Sequence, residues 1–384
     1  MIYRELVHVL NRRLREKKPL IQVLVGPRQI GKTTTLQAVF KNQGIYHTAD
    51  SPVPTASTEI ERWWKEAESL ENPLLAIDEI QKVANWPETV KWLWDKSENF
   101  KLVLTGSSSL LVEKGLKESL AGRFELIRGE HWNYSEAKKV FDLSLDDFVC
   151  FGCYPGSVDF LDDVNRWSQF IRDGIVEPVI GRDLLQLRPV NNPALLRQVF
   201  GLAAAYPAQV ISLQKIQGQL QSKGAVTTIQ NYLELLAQAF IVTPVQKYSP
   251  FAIRTRKSSP KLIIHDNALV RAFERPPTQE LSPKRKGCYF ENAVIARLIE
   301  AGWEVYYWKH RDLEVDAVVI SPENEHLAIE IKSVPTTSQQ LKGLSTFCEQ
   351  YPDFEPCLVS LADQAMEGVR TLPVADILSL CRQY

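Results

Sequence analysis

The stretch Gly26-Pro27-Arg28-Gln29-Ile30-Gly31-Lys32-Thr33 decides the fold of the N-terminal part of this chain. It fits the pattern G-x-x-x-x-G-K-[ST] at every required position. The apolar run IQVLV at 21–25 precedes it and is typical of a buried strand, whereas TTLQAVF at 34–40 follows it with helical spacing. Because strand, glycine-containing loop and helix come in this order, the sequence predicts a nucleoside triphosphate site.

Each position of the loop has an expected role in that site. Backbone N–H groups close around the phosphates at the N-terminus of the helix, Lys32 contacts the β- and γ-phosphates, and the hydroxyl of Thr33 binds Mg²⁺. The predicted ATP-binding residues of the loop are Gly26, Pro27, Arg28, Gln29, Ile30, Gly31, Lys32, Thr33 and Thr34.

Two further strands end in polar residues that suit the same site. The run LLAI at 74–77 leads into Asp78-Glu79, where Asp78 is expected to hold Mg²⁺ and Glu79 to orient the attacking water. The run KLVL at 101–104 ends in Thr105-Gly106-Ser107. Thr105 and Ser107 are candidates for contact with the γ-phosphate, and ordinary capping of a strand end accounts for them equally well.

This succession of motifs resembles the AAA+ ATPases. The resemblance implies a sensor residue on the strand at 101–104, although the usual Asn is absent there, and an arginine that reaches the nucleotide of a neighbouring subunit. Arg123, in LAGRF, matches the position of that arginine, and Arg182, in GRDL, is a second candidate. A surface ion pair is the alternative role for Arg123. An arginine acting between subunits implies a homo-oligomer, for which a ring is one arrangement.

Composition indicates an ordinary globular protein of several domains. The 384 residues are 45% hydrophobic and 24% charged, with a formal net charge of −1. We find no apolar run long enough to cross a membrane, and the opening MIYREL is typical of an amphipathic helix, so we expect a cytoplasmic protein with no membrane partner. The six cysteines do not form a disulfide framework, and Cys150 and Cys153 are expected to be buried free thiols.

The middle of the chain resembles a winged helix-turn-helix. Helical patterns at 193–205, 212–221 and 227–240 precede a β-segment at 241–245, which makes the helix from Thr227 the recognition helix. Its expected exposed face is polar but not basic, and consists of Thr228, Gln230, Asn231 and Glu234. Protein packing or oligomerisation is therefore as good a role for it as DNA binding.

A local excess of positive charge follows this region. The stretch 247–286 contains ten basic residues and only three acidic ones, Asp266, Glu274 and Glu280, so its net charge is +7. The ten are Lys247, Arg254, Arg256, Lys257, Lys261, Arg271, Arg275, Lys284, Arg285 and Lys286. Such a stretch suits contact with DNA phosphates, and a solvated linker face is the alternative.

The last third of the chain carries a second set of acids. Glu291 lies on a helical pattern at 289–299, Asp316 lies on a strand at 313–320, and the strand at 327–332 carries Glu330 and Lys332. This order resembles the PD-(D/E)xK nucleases, the restriction-endonuclease-like fold that includes archaeal Holliday junction resolvases. The resemblance implies that Glu291, Asp316 and Glu330 bind Mg²⁺ or Mn²⁺ and that Lys332 is catalytic. Glu314 is a spare acid on the same strand face.

Across its length, the chain resembles a bacterial and archaeal family of AAA+-like ATP-binding proteins with a C-terminal domain of unknown function. We therefore predict an α/β protein with an AAA+-like ATPase domain at 1–150, a helical and winged-helix segment at 151–250, and a nuclease-like domain at 251–384. The expected function is Mg²⁺-dependent ATP hydrolysis coupled to action on DNA, with branched DNA among its substrates. The alternative is a nucleotide-dependent switch or assembly ATPase whose tail binds without cleaving.

Overall fold

The computed structural model describes residues 4–17, 19–41, 43–106, 119–187, 190–220, 225–250, 258–274 and 280–384. The chain divides into two compact units, residues 1–130 together with Tyr384, and residues 131–383. Within the described ranges, no helix is long and apolar enough to cross a bilayer.

The first unit contains a five-stranded parallel sheet in the order β2-β3-β4-β1-β5. Its strands are β1 (Ile21–Val25), β2 (Ile45–Thr48), β3 (Leu74–Asp78), β4 (Lys101–Gly106) and β5 (Phe124–Arg128). Its helices are α1 (Glu5–Arg13), α2 (Lys32–Phe40), α3 (Ser57–Glu68) and α4 (Trp86–Trp94), and a 3₁₀ turn spans Ile80–Lys82. All residues of β1 and β3 are buried, so both faces of the sheet are covered. This arrangement confirms the predicted parallel α/β domain.

Strand order brings the predicted nucleotide motifs to one edge of this sheet. The carboxyl ends of parallel strands share an edge, and β4 lies between β1 and β3. The P-loop after β1, Asp78 at the end of β3 and Thr105 near the end of β4 are therefore neighbours.

The second unit begins with helices and continues into a small antiparallel sheet. The helices are α5 (Tyr134–Phe141), α6 (Leu145–Phe151), α7 (Val164–Ile171), α8 (Leu184–Leu187), α9 (Pro193–Ala205), α10 (Leu213–Gln219) and α11 (Val226–Gln238). A 3₁₀ turn spans Pro155–Phe160, and π-helical turns span Arg172–Val176 and Val179–Asp183. The strands β6 (Gln209–Val210), β7 (Val242–Val245) and β8 (Lys261–Ile264) form a sheet in the order β6-β8-β7.

Two of the predicted domain boundaries fall inside packed structure. Residue 150 lies within α6, which packs in the second unit because Asn267 Nδ2 donates to Val149 O at 2.6 Å. Residue 250 lies between β7 and β8, which pair in one sheet. The compact units thus separate at Glu130, and the three-part functional division stays a prediction.

The rest of the second unit contains a mixed five-stranded sheet in the order β13-β12-β11-β10-β9. Its strands are β9 (Glu304–His310), β10 (Leu313–Ile320), β11 (His326–Lys332), β12 (Glu355–Ser360) and β13 (Arg370–Thr371). The helices of this part are α12 (Asn267–Arg271), α13 (Pro283–Glu300), α14 (Lys342–Gln350) and α15 (Val374–Leu378), with a 3₁₀ turn at Ser338–Leu341. β9, β10 and β11 are antiparallel neighbours, whereas β12 runs parallel to β11.

Candidate functional site

The P-loop adopts a backbone that only its glycines fit. Gly31 has φ +94° immediately before α2, a left-handed conformation that side chains disfavour. A Cβ at Gly26 would lie 2.4 Å from Gly129 O, so only a glycine allows the two backbones to approach so closely. The loop therefore leads directly from β1 into the N-terminus of α2, where backbone N–H groups can face an anion.

Lys32 is buried and bound to its own loop. Its Nζ donates to Gly26 O at 2.9 Å and to Pro27 O at 2.5 Å. An ammonium group held inside the loop can exchange these carbonyl acceptors for phosphate oxygens. Thr33 and Thr34 are exposed at the start of α2. The phosphate-binding roles of these residues stay a prediction.

Asp78 is the centre of a hydrogen-bond network. Thr33 Oγ1 donates to its Oδ2 at 2.6 Å, and Tyr46 OH donates to the same oxygen at 3.1 Å. Thr105 Oγ1 and the backbone N–H of Glu79 donate to Oδ1. The Thr33 hydroxyl and the Asp78 carboxylate supply adjacent oxygen atoms, the donor set that Mg²⁺ prefers. The residues present therefore fit the predicted metal.

Tyr46 is a member of this site that sequence reasoning missed. It lies on β2, whose Thr48 pairs with Asp78 of β3. Burial, followed by the charge of Asp78, raises the pKa of Tyr46 to about 12. No local motif marks this tyrosine, because β2 joins the site only through sheet pairing.

Glu79 is held beside Asp78 in a left-handed backbone conformation with φ +55°. Its carboxylate accepts a hydrogen bond from Gln81 Nε2 at 2.6 Å. Its backbone N–H also lies 3.3 Å from Thr105 Oγ1, so Thr105 contacts both predicted acids. Ser107, the other residue predicted at this strand end, lies outside the described residues.

The two arginine candidates lie in different units. Arg123 pairs with Asp95 of the first unit through Nε to Oδ1 at 2.6 Å and Nη2 to Oδ2 at 3.0 Å. This is the surface ion pair named as its alternative role, and about a third of the Arg123 side chain remains exposed. Arg182 is exposed on the π-helical turn Val179–Asp183 of the second unit.

The predicted C-terminal acids come together in the second unit. Lys332 Nζ contacts Glu330 Oε1 at 2.5 Å and Asp316 Oδ2 at 3.5 Å. Asp316 Oδ2 also accepts the backbone N–H of Ile331 at 2.9 Å, which locks β10 to β11 at this point. Glu291 faces the same group from α13. We call Glu291, Asp316, Glu330 and Lys332 the carboxylate cluster.

A second lysine, Lys261, completes the cluster. It is 1% exposed on β8, and its Nζ lies 2.6 Å from Glu291 Oε1 and 3.4 Å from Glu314 Oε1. It also donates to Asp316 O at 3.1 Å. Lys261 was predicted, on charge alone, to contact phosphate; its burial and its pairing with acids correct that prediction.

Burial shifts the pKa values of this cluster. Burial first, together with the charge of Asp316, raises the pKa of Glu291 to about 7 and that of Glu330 to about 8. Burial alone would lower the pKa of Lys261, but the charges of Glu291 and Asp316 outweigh it and raise that pKa. In the described part of the chain, Glu330 Oε2 is buried without a hydrogen-bond partner. A buried, unpaired carboxylate oxygen beside a second carboxylate fits a divalent cation.

The remaining basic stretch is less available for DNA than its charge implied. Arg271 is 2% exposed, Arg285 pairs with Glu274, and Lys286 pairs with Asp146. Arg254, Arg256, Lys257 and Arg275 lie outside the described residues. On α11, Gln230, Asn231 and Glu234 are exposed and Thr228 is half-buried, as the polar face was predicted.

A buried network around Glu300 escaped the sequence analysis. His131 Nδ1 lies 2.5 Å and His265 Nδ1 lies 3.1 Å from Glu300 Oε1. The hydroxyls of Tyr154 and Thr243 lie 3.0 Å and 2.7 Å from the Nε2 atoms of His131 and His265, respectively. A metal ion also suits this donor set, yet every ring nitrogen already has a hydrogen-bond partner. We therefore assign the network to stability.

The charge state of Glu300 follows from its neighbours. Burial alone would raise its pKa, but the charge of His131, hydrogen bonds from both histidines and the charge of Arg297 hold the pKa well below its usual value. Arg297 Nη1 lies 3.5 Å from Glu300 Oε2. Elsewhere in this unit, Cys150 and Cys153 are buried free thiols, as predicted.

Comparisons with known proteins assign a family model to most of the first unit. An AAA domain model matches residues 18–138, and two models described as domain of unknown function, DUF8612 and DUF4143, match residues 142–280 and 286–377. An uncharacterised protein of Methanocaldococcus jannaschii is 27% identical over 339 residues, which cover 80% of this chain and 74% of that protein. An uncharacterised protein of Mycobacterium tuberculosis is 28% identical over 340 residues, covering 86% of this chain and 75% of that protein.

Among solved structures, a Walker-type ATPase of Pyrococcus abyssi aligns with a TM-score of 0.47 at 15% identity. The alignment covers 70% of this chain and 94% of that one. The family-model match, together with the parallel sheet and the P-loop geometry, identifies the segment 18–138 as an AAA-type P-loop domain.

Proposed function

We propose that this protein is a Mg²⁺-dependent ATPase that acts on DNA through its second unit. The observation that carries the ATPase part is the contact between Thr33 and Asp78 at 2.6 Å beside Lys32 in its loop. Lys32 and the amides at the start of α2 bind the β- and γ-phosphates. Thr33 and Asp78 hold Mg²⁺, which neutralises phosphate charge when bound. Glu79, fixed by Gln81, orients the attacking water.

The DNA part of the proposal is supported by two arrangements in the second unit. The order helix, strand, helix, helix, strand, strand from Pro193 to Ile264, with sheet order β6-β8-β7, suits a winged helix. The helix α13 with β9, β10, β11, α14 and β12 carries the carboxylate cluster and suits a PD-(D/E)xK nuclease-like domain. Glu291, Asp316 and Glu330 would hold Mg²⁺ or Mn²⁺, which would assist phosphodiester hydrolysis, and Lys332 would stabilise the developing phosphate charge.

A nucleotide-dependent switch is the second candidate function. It is favoured by the burial of Lys261 and Arg271, which removes two cations from the phosphate-contacting stretch, and by the uncharged or acidic residues exposed on α11. In that case, ATP controls assembly or a protein partner, and the second unit binds without cleaving. Both candidate functions are compatible with a homo-oligomer in which Arg123 or Arg182 reaches the nucleotide of a neighbouring subunit.

One experiment separates the two functions. ATP turnover of the full chain is measured with and without linear, forked and four-way DNA at low salt, and complexes are followed by electrophoretic mobility shift. DNA action predicts a shift and a stimulated turnover, both of which weaken as salt rises. Unchanged turnover without any complex would reject DNA action and leave the switch.

Loss of turnover in a Lys32→Ala control tests the ATPase itself. Mass measurement with a non-hydrolysable ATP analogue then gives the state of assembly. A monomer in every nucleotide state would exclude an arginine that acts between subunits.

A further inference from the structure

We propose that Lys261 is a fixed cation that keeps Glu291 out of the metal's ligand shell, so that Asp316 and Glu330 alone supply the carboxylates that bind the ion. This inference rests on the proposed metal site and narrows its ligand set. It also gives β8 a direct role at the carboxylate cluster, although β8 belongs to the sheet proposed as a winged helix.

The position of Lys261 is fixed by its strand. β8 is the central strand of its sheet, and Lys261 pairs with Val210 of β6 on one side and Val245 of β7 on the other. Asn292 on α13 binds both the N–H and the C=O of Ile264, at 2.9 Å and 2.7 Å, and so docks β8 against the helix that carries Glu291. The strand fixes the backbone of Lys261, and burial together with the contacts to Glu291 Oε1 and Asp316 O holds its ammonium group at the cluster.

The contacts divide the cluster into two ends. At one end, Glu291 is bound by Lys261 at 2.6 Å, and Glu314 lies within 3.4 Å of the same ammonium. At the other end, Glu330 has one oxygen on Lys332 and its buried Oε2 without a partner among the described residues. An ion at Glu330 Oε2 would satisfy a buried oxygen that has no partner. An ion that drew Glu291 away would leave the Lys261 ammonium, 1% exposed, without the carboxylate that neutralises it, whereas Lys332 is about a quarter exposed and can turn to water.

The charges of the cluster favour a single divalent ion, bound between Asp316 and Glu330. The ionised acids Glu291, Glu314, Asp316 and Glu330 face Lys261, Lys332 and Lys309, of which Lys309 pairs with Glu314 at 2.9 Å. With all four acids ionised, the state that a bound divalent cation favours, these seven side chains carry a net charge of −1. One divalent ion reverses this small excess, and a second would add two positive charges next to a buried ammonium, which Coulomb repulsion at short range opposes strongly. Removal of Lys261 makes the cluster more negative and frees the Glu291 carboxylate.

The test measures Mn²⁺ binding to the full chain without nucleotide, by calorimetry and by the electron paramagnetic resonance signal of free Mn²⁺. We expect Asp316→Asn and Glu330→Gln to weaken binding on the order of 10- to 100-fold or more. We expect Glu291→Gln to leave the affinity within about threefold, because that carboxylate is already neutralised. Glu314→Gln is the matched control at the same ammonium.

Lys261→Met keeps the aliphatic stem and removes the charge. We expect it to tighten Mn²⁺ binding on the order of tenfold, and the double variant Lys261→Met with Glu291→Gln to lose that gain. If Lys261→Met proves unfolded by its melting curve, the Glu291→Gln result in the otherwise unchanged protein decides alone.

Two other outcomes overturn different statements. If the unmodified protein binds Mn²⁺ and Glu291→Gln weakens this binding as much as Asp316→Asn does, the role of Lys261 is refuted. The metal site itself would then stand. Absence of binding beyond that of the Asp316→Asn control would refute the metal site itself, and the inference with it.

Discussion

The substitution Glu300→Gln tests whether the buried network around this carboxylate stabilises the second unit. The change keeps the shape of the side chain and removes its charge. It disrupts the hydrogen bonds from His131 Nδ1 and His265 Nδ1 and leaves the buried guanidinium of Arg297 without its carboxylate at 3.5 Å. The side chain of Glu300 is 6% exposed, so water cannot replace these partners.

The expected magnitude follows from this burial. Removal of one partner of a buried ion pair lowers the free energy of unfolding by about 3–5 kcal/mol. For a unit of this size, each kcal/mol lowers the midpoint of thermal unfolding by about 2–4 °C. We therefore expect the midpoint of the second unit to fall by about 6–20 °C.

The assay is thermal and urea unfolding of the full chain followed by tryptophan fluorescence, with ATP turnover as an independent check on the first unit. Glu323→Gln, an exposed position of the same unit, is the matched control and should unfold like the unmodified protein. Unfolding of Glu300→Gln that coincides with this control would refute the assignment of the network to stability.

The dependence on pH supplies a second check. Since the folded-state pKa of Glu300 is depressed, its stabilisation is present above the unfolded-state value of about 4.3 and is lost as the pH falls through the folded-state value. The difference between the unmodified protein and Glu300→Gln should shrink as the pH falls below about 4.3. A difference that grows on acidification would contradict the assigned pKa direction.

Three further predictions concern the proposed activities. Lys32→Ala should weaken ATP binding about 10- to 100-fold, because charge-assisted hydrogen bonds are lost, whereas Glu79→Gln should keep binding and trap ATP; near-normal turnover in either variant contradicts the site. Arg123→Ala should lower turnover on the order of 10³-fold without weakening ATP binding, and mixing it with Lys32→Ala should restore part of the activity; failure to rescue among assemblies that exchange subunits excludes action between them. Asp316→Ala and Lys332→Ala should each remove any Mn²⁺-dependent cleavage of DNA while ATP turnover stays unchanged, and a loss of turnover in both variants would contradict separate sites.

The sequence by itself determined what depends on short spacing. The loop from Gly26 to Thr33 fixes its own backbone, because its glycines allow conformations and close approaches that other residues exclude. Asp78 could be located because an acid after a buried strand must lie at the carboxyl edge of a parallel sheet. The acids Asp316 and Glu330 were predicted from their order along the chain, through its resemblance to the PD-(D/E)xK pattern, and each lies on a strand.

Only the tertiary structure decided which distant residues complete these sites. Tyr46 reaches Asp78 because β2 lies beside β3 in the sheet, and Lys261 reaches Glu291 because Asn292 docks β8 on α13. In the sequence, Lys261 is one of ten basic residues, and its charge alone predicted an exposed side chain in contact with phosphate. Strand pairing and burial bring its ammonium to the acids instead, because a buried cation is stable only beside opposite charge.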